Sequence, residues 1–126
     1  MRLMLDTHVL LWWLQDSPRL GQKARALIAD ADHELMVSLA SPWEISVKHR
    51  IGKMQESGAE VMAALDGQGV AVLDLKPGHL RVLEAMPLIH RDPFDHLIIA
   101  QALAERCVVI TDDTQIPAYG VSCLPA

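Results

Sequence analysis

A chain of 126 residues with 51% hydrophobic content suits one domain with a real core and excludes an intrinsically disordered protein. Its formal net charge of −5 excludes a protein that gathers phosphate backbones by overall charge, so any nucleic-acid contact must use a local basic patch or bound cations. Cys107 and Cys123 lie in apolar runs without metal-ligand spacing and are expected as small core residues, not as a disulfide.

Arg2 to Leu5 is predicted as a short apolar strand, ended by Asp6. The run resembles the start of a signal peptide, but Asp6 and His8 interrupt it, and Val9 to Leu14 is too short for an apolar leader core or a membrane span, so a cytoplasmic protein is expected. Thr7 to Leu14 reads as a buried helix, Gln15 to Leu20 as a loop, and Gln22 to Ala29 as an amphipathic helix with Ala24, Leu27 and Ile28 on one face. Leu35 to Ser38 is the second strand. Ser41-Pro42-Trp43-Glu44 then carries a helix-start signal, with Ser41 as N-cap, Pro42 at the first helical position and Glu44 at the third. Trp43, Val47 and Ile51 give that helix an apolar stripe, and Gly52 ends it. A short helix over Ala59 to Leu65, stopped by Gly67 and Gly69, leads to a third strand at Val70 to Leu75 and a helix at His79 to Met86. Asp92-Pro93-Phe94-Asp95 repeats the start signal for a deeply packed helix running to about Glu105. Cys107 to Thr111 and Val121 to Leu124 complete the strands. Strands alternating with helices imply a mainly parallel sheet covered on both faces.

In such a sheet, chemistry collects beyond the carboxyl ends of the strands. Asp6 follows the first strand and Asp112 and Asp113 the fourth, Glu44 follows the second by a short link, and Asp92 and Asp95 begin the helix leading to the fourth. Carboxylates brought that close repel one another. A hard cation such as Mg²⁺ relieves the repulsion, accepts oxygen ligands and supports attack of water on a phosphodiester. Singly, the acids also have structural readings. Glu44 suits a capping box, Asp95 suits the positive end of a helix, and Asp112 and Asp113 suit a turn. Asp6 differs, because an acid between a buried strand and a buried helix is costly unless paired or metal-bound.

The histidines His8, His33, His49, His79, His90 and His96 show no zinc-type spacing and are expected as surface or packing residues. Lys48 either pairs with Glu44 one helical turn away or joins His49, Arg50 and Lys53 in a basic face near the acids, to which His90 and Arg91 add. An aspartyl-phosphate enzyme would need a second Asp two residues after Asp6, where His8 stands, and a receiver domain would need an acid pair at the first strand end.

Four segments occur in order: Leu3 to Trp12 (LMLDTHVLLW), Val37-Ser38 through Ser41-Pro42-Trp43-Glu44-Ile45, His90 to Asp95 (HRDPFD) with Ile98 to Ala102 (IIAQA), and Val109 to Asp113 (VITDD) with Ala118 to Val121 (AYGV). Together they resemble the motifs of PIN-domain proteins, specifically the VapC-type toxins of toxin–antitoxin pairs. The resemblance implies a three-layer α/β/α fold with a mainly parallel sheet of four or five strands, residues 1–126 forming a single PIN domain. It implies a Mg²⁺- or Mn²⁺-dependent endoribonuclease with Asp6, Glu44, Asp95 and Asp113 as the catalytic acids. Of these, Asp6, Asp95 and Asp113 would hold the metal, Asp92 would be a further acid, and Thr111 would orient the last acid. RNA would be held by Lys48, Arg50 and Arg91. A cognate antitoxin and a homodimer are implied as well; the alternative is a non-catalytic PIN-like module that binds RNA or a partner. Two departures stand out. Asp112 occupies a place where a basic or small residue is more usual, and Ile116-Pro117 replaces an aromatic region before Tyr119-Gly120.

Overall fold

Alternation of apolar side chains decides the layering. The computed structural model describes residues 1–126, and its first strand, β1 (Arg2–Leu5), sends Leu3 and Leu5 into one apolar cluster and Met4 into another. In β2 (Glu34–Ser38), Leu35 and Val37 join the first cluster and Met36 the second; in β4 (Val108–Ile110), Ile110 joins the first and Val109 the second. This is the two-residue period of strands covered on both faces. Helices α1 (Thr7–Leu14), α2 (Gln22–Ala29), α3 (Ala40–Arg50) and α4 (Gly58–Leu65) contribute Leu10, Ala24, Ile45 and Val61 to the first cluster. The long helix α6 (Pro93–Glu105) contributes Leu97, Ile98, Ile99 and Ala102 to the second, and α5 (Pro77–Ala85) packs against α6. The result is three layers, α/β/α.

With β3 (Val70–Leu73) and β5 (Cys123–Leu124), the sheet has the order β3-β2-β1-β4-β5, and every neighbouring pair is parallel. The chain moves outward from β1 through β2 to β3, then returns to β4 on the other side of β1. The order therefore reverses between β1 and β4, and crevices for ligands form at such a reversal. No helix is long and apolar enough to cross a membrane.

The expected helix-start signal at Asp92 is present as read: Asp92 caps α6, accepting from the N–H groups of Phe94 at 2.9 Å and Asp95 at 3.1 Å, with Pro93 at the first position. The signal at Ser41 is not. Helix α3 begins at Ala40 directly after the strand, with Leu39 already helical at its boundary. The Ser38 hydroxyl accepts from the Ala40 N–H at 3.0 Å, and the Ser41 hydroxyl is drawn instead to that of Thr7 at 2.9 Å. Ser41, Pro42 and Glu44 thus sit inside the helix, and Glu44 closes no capping box. The stripe of Trp43, Val47 and Ile51 also faces outward, with these residues 51%, 36% and 59% exposed; Trp43 meets Phe94 edge-on, ring centres 4.8 Å apart.

Smaller differences have local causes. Helix α5 begins at Pro77, two residues before its expected start, because His79 Nδ1 accepts the Lys76 N–H at 3.0 Å. Strand β3 stops at Leu73, and both cysteines are free, Cys107 buried but Cys123 only half-buried. Helices α3 and α4 meet where Gly58 lies against Pro42; a Cβ there would come within 2.1 Å of the Pro42 carbonyl oxygen and of Ser46 Oγ. Gly58→Ala is expected to lower stability by about 1–3 kcal/mol through overpacking, read as a lower midpoint in urea unfolding.

Candidate functional site

The reversal between β1 and β4 brings the ends of two strands together, and Asp6 stands at the first. Its N–H donates to the Ile110 carbonyl at 3.1 Å, continuing the sheet by one residue. One side-chain oxygen accepts the Thr7 N–H at 2.7 Å, capping α1, and the other accepts the Thr111 hydroxyl at 2.6 Å. Thr111 follows β4, and its Oγ1 in turn accepts the Asp113 N–H at 3.0 Å. One hydroxyl therefore ties the first acid to the last across the strand ends. Asp113 Oδ1 accepts the Gln115 N–H at 2.9 Å, shaping the turn. Asp112 Oδ1 accepts the Ala126 N–H at 2.8 Å, and the residue is exposed.

An open pocket over these strand ends is lined by Asp6, His8, Trp12, Arg19, Asp112 and Asp113. Arg19 was not singled out from sequence. It belongs to the irregular segment before α2, where no periodicity indicates direction.

Glu44 is buried on α3, with only 3% of its surface exposed. Its Oε2 accepts Lys48 Nζ at 2.6 Å, while Oε1 is buried with no hydrogen-bond partner. Such an atom is costly in a folded protein unless a ligand completes it. Lys48 is therefore engaged with Glu44, whereas Arg50 and Arg91 are exposed. Asp95, in the first turn of α6, is buried, and its Oδ2 accepts His90 Nε2 at 3.1 Å. This corrects the expectation that every histidine is a surface or packing residue: His90 directly contacts a candidate acid. The HRDPFD run contained both residues, but the contact depends on a turn folding His90 back over the start of α6.

The electrostatics link these groups. Burial pushes the Asp95 carboxyl up to about 7; the His90 hydrogen bond opposes this, and the negative charges of Asp92, Asp6 and Asp113 add to it. Burial also raises Asp6, against the hydrogen bonds from Thr111 and Thr7 and with a further upward push from Asp113. Lys48 is raised, chiefly by its bond to Glu44 and also by the charges of Glu44, Asp92 and Asp95. The fold thus gathers Asp6, Asp92, Asp95, Asp113 and the Glu44–Lys48 pair into one field. It does not close any three of the acids into a ready-made ligand set. Their oxygens are held by Thr111, Lys48, His90 and backbone N–H groups. The donor set is nonetheless that of a hard divalent cation: carboxylate oxygens only, charges that repel, and an unpartnered oxygen on Glu44.

A family model described as the PIN domain matches residues 3–121. Among solved structures, VapBC2 from Rickettsia felis bound to a DNA fragment from its promoter aligns with a TM-score of 0.73 at 15% identity, covering 99% of this chain and 98% of that one. VapBC-1 from nontypeable Haemophilus influenzae aligns with a TM-score of 0.68 at 17% identity, covering 99% and 98%. At those identities the likeness is one of fold. No curated protein sequence matches the chain.

The raised Asp95 has a consequence for stability. Unfolded, the carboxyl titrates near its ordinary 3.8; folded, it holds its proton to about 7. Between those values the folded state binds more protons, so this contribution to stability is fully present below the lower value and is lost as pH rises through the upper one. Asp95→Asn is expected to be more stable than the parent above neutral pH by about 1–2 kcal/mol without divalent cations, and equal to it near pH 4, in urea titrations across pH.

Proposed function

The chain belongs to the PIN-domain family, and on that premise we propose that it is a Mg²⁺- or Mn²⁺-dependent endoribonuclease, the VapC-type toxin of a toxin–antitoxin pair, built as one PIN domain over residues 1–126 and working in the cytoplasm. PIN domains are in general nucleases that use divalent cations. The observation that carries the proposal here is the field of buried carboxylates at the reversal of the sheet, with Asp95 raised to about 7 by burial and by Asp92, Asp6 and Asp113. Some of these acids cap helices or shape a turn, but their gathering adds mutual repulsion that raises Asp95 and that those local roles do not need. Such a gathering is suited to a bound cation.

Asp6, Asp95 and Asp113 would hold that cation, with Glu44 as the fourth catalytic acid. When bound, it supplies a Lewis acid to the phosphodiester and favours water as nucleophile at neutral pH. The protein's own work is positioning. Thr111 holds Asp6 and, through the Asp113 N–H, the turn that carries the last acid. Asp92 caps α6 and so fixes the backbone of Asp95. Lys48 is held beside the acids by Glu44, and Arg50 and Arg91 stand free at the surface to meet RNA phosphates, a local basic supply in an acidic chain.

An antitoxin partner would place an Arg or Lys among Asp6, Glu44, Asp95 and Asp113, pairing with the carboxylates that a cation would otherwise bridge. The exposed stripe of Trp43, Val47 and Ile51 supports a homodimer, since large apolar side chains spaced along one helix face are the mark of an interaction surface.

Asp6→Asn preserves shape and removes one charge, so it is expected to fold and to lose metal-dependent RNA cleavage. Mn²⁺ should raise the melting temperature of the parent protein and not of this variant. Full ribonuclease activity in well-folded Asp6→Asn rules out the assignment, and RNA binding without cleavage by the parent favours the non-catalytic module. Sedimentation is expected to give twice the chain mass of 13.9 kDa; Ile51→Asp, which adds a charge to the exposed stripe, should shift the protein to monomer while leaving its circular dichroism unchanged.

A further inference from the structure

Behind Asp95 lies a hydrogen-bond cluster that leaves room for only one arrangement of protons. Tyr119 Oη lies 3.1 Å from the Ile89 nitrogen, 3.0 Å from the His90 nitrogen, 2.7 Å from His90 Nδ1 and 3.2 Å from His96 Nε2. His96 Nε2 also lies 2.7 Å from the His90 carbonyl oxygen. A carbonyl only accepts, so His96 Nε2 carries its proton and donates there. The two backbone N–H groups donate to Tyr119 Oη. The tyrosine's own proton then has one acceptor within reach, His90 Nδ1, which must be unprotonated. The proton of neutral His90 is on Nε2, and it points at Asp95 Oδ2, 3.1 Å away. The chain runs Tyr119 to His90 to Asp95.

We propose that Tyr119 and His90 are positioning residues: Tyr119 fixes His90 as the Nε2–H tautomer, and His90 then pins one oxygen of Asp95 so that the other is presented to the cation and substrate. The role of Asp95 in this statement rests on the nuclease reading above; the tautomer does not. Tyr119 is suited to the task because it is itself immobile. It is buried, it closes the short 3₁₀ turn Pro117–Tyr119, and its ring packs edge-on to His90 and His96, centres 5.4 Å and 6.0 Å away. Fixing a carboxylate through a histidine of set tautomer removes the rotation that would otherwise be lost on each binding event, and loss of such outer partners typically costs 10- to 100-fold in metal affinity or activity.

The experiment is long-range ¹H–¹⁵N NMR of the metal-free protein at mildly alkaline pH, paired with RNA cleavage kinetics. His90 is expected to give the pattern of a pure Nε2–H tautomer in the parent and an averaged pattern in Tyr119→Phe. Tyr119→Phe should lose about tenfold or more in kcat with KM for RNA little changed. His90→Gln, whose amide still donates to Asp95, should keep most of the activity that His90→Ala loses. An Nδ1–H tautomer in the parent overturns the proposal. So does an unchanged His90 pattern in folded Tyr119→Phe, or a His90→Gln protein as impaired as His90→Ala. If Tyr119→Phe does not fold, the parent's tautomer and the His90 pair decide. Absence of cleavage by the parent refutes the nuclease reading instead, and the tautomer measurement then still decides whether Tyr119 sets His90.

Discussion

The hydrogen bond from Thr111 to Asp6 is the contact on which the candidate site depends. A carboxylate at the buried end of a strand faces a desolvation cost of several kcal/mol, and burial does raise Asp6. What keeps the group in place is a donor on each oxygen: the first N–H of α1 and the hydroxyl of Thr111. The first is local to the junction of β1 and α1; the second exists because β1 and β4 are neighbours with their ends in register, Leu5 opposite Ile110. The chemistry at the crevice is thus a consequence of sheet order. A sheet that placed β4 at the far edge would leave the second oxygen of Asp6 without its donor and Asp113 remote.

The acids differ in how they are held, and the difference assigns them different work. Asp6 is tied on both oxygens to backbone and hydroxyl donors, so its place is set by the fold alone. Glu44 and Asp95 are each tied on one oxygen by a side chain, Lys48 and His90. Their second oxygens are therefore free to respond to whatever enters. Asp113 is tied to its own turn. A rigid anchor with adjustable partners is the arrangement a crevice needs if its occupants alternate between a small cation and a larger basic group.

Local physics makes much of this legible in the sequence. Asp6 stood out because an acid between two apolar runs has no cheap explanation. Asp92-Pro93 located α6 because both signals, a capping acid and a proline at the first position, act within a single turn. The start of α3 was not legible for the opposite reason. Ser38 and Ser41 both offer a hydroxyl to the helix, and the choice between them is settled by Thr7, 34 residues away in sequence. The outward turn of Trp43, Val47 and Ile51 was hidden because periodicity reveals that a helix has an apolar face, not what that face meets. His90 and Tyr119 are 29 residues apart, and nothing local joins them.

The chain carries a net charge of −5, and Asp6, Asp92, Asp95 and Asp113 are gathered where the proposed substrate's phosphate backbone would have to approach. Long-range attraction is therefore absent, and at about 0.15 M salt the surface arginines act only over roughly 8 Å. Recognition in this setting must be short-range and stepwise. On the proposed reading the acids would repel RNA until a cation is in place, and only then would basic groups act on the phosphate rather than on the carboxylates. Lys48 illustrates the competition, since Glu44 already holds it. A basic side chain from a protein partner meets no such barrier, because it brings the positive charge itself. On that reading the same negative field that would make substrate binding conditional on the cation would make a cationic inhibitor's binding direct. A site that works this way would be easier to silence with a partner than to saturate with substrate.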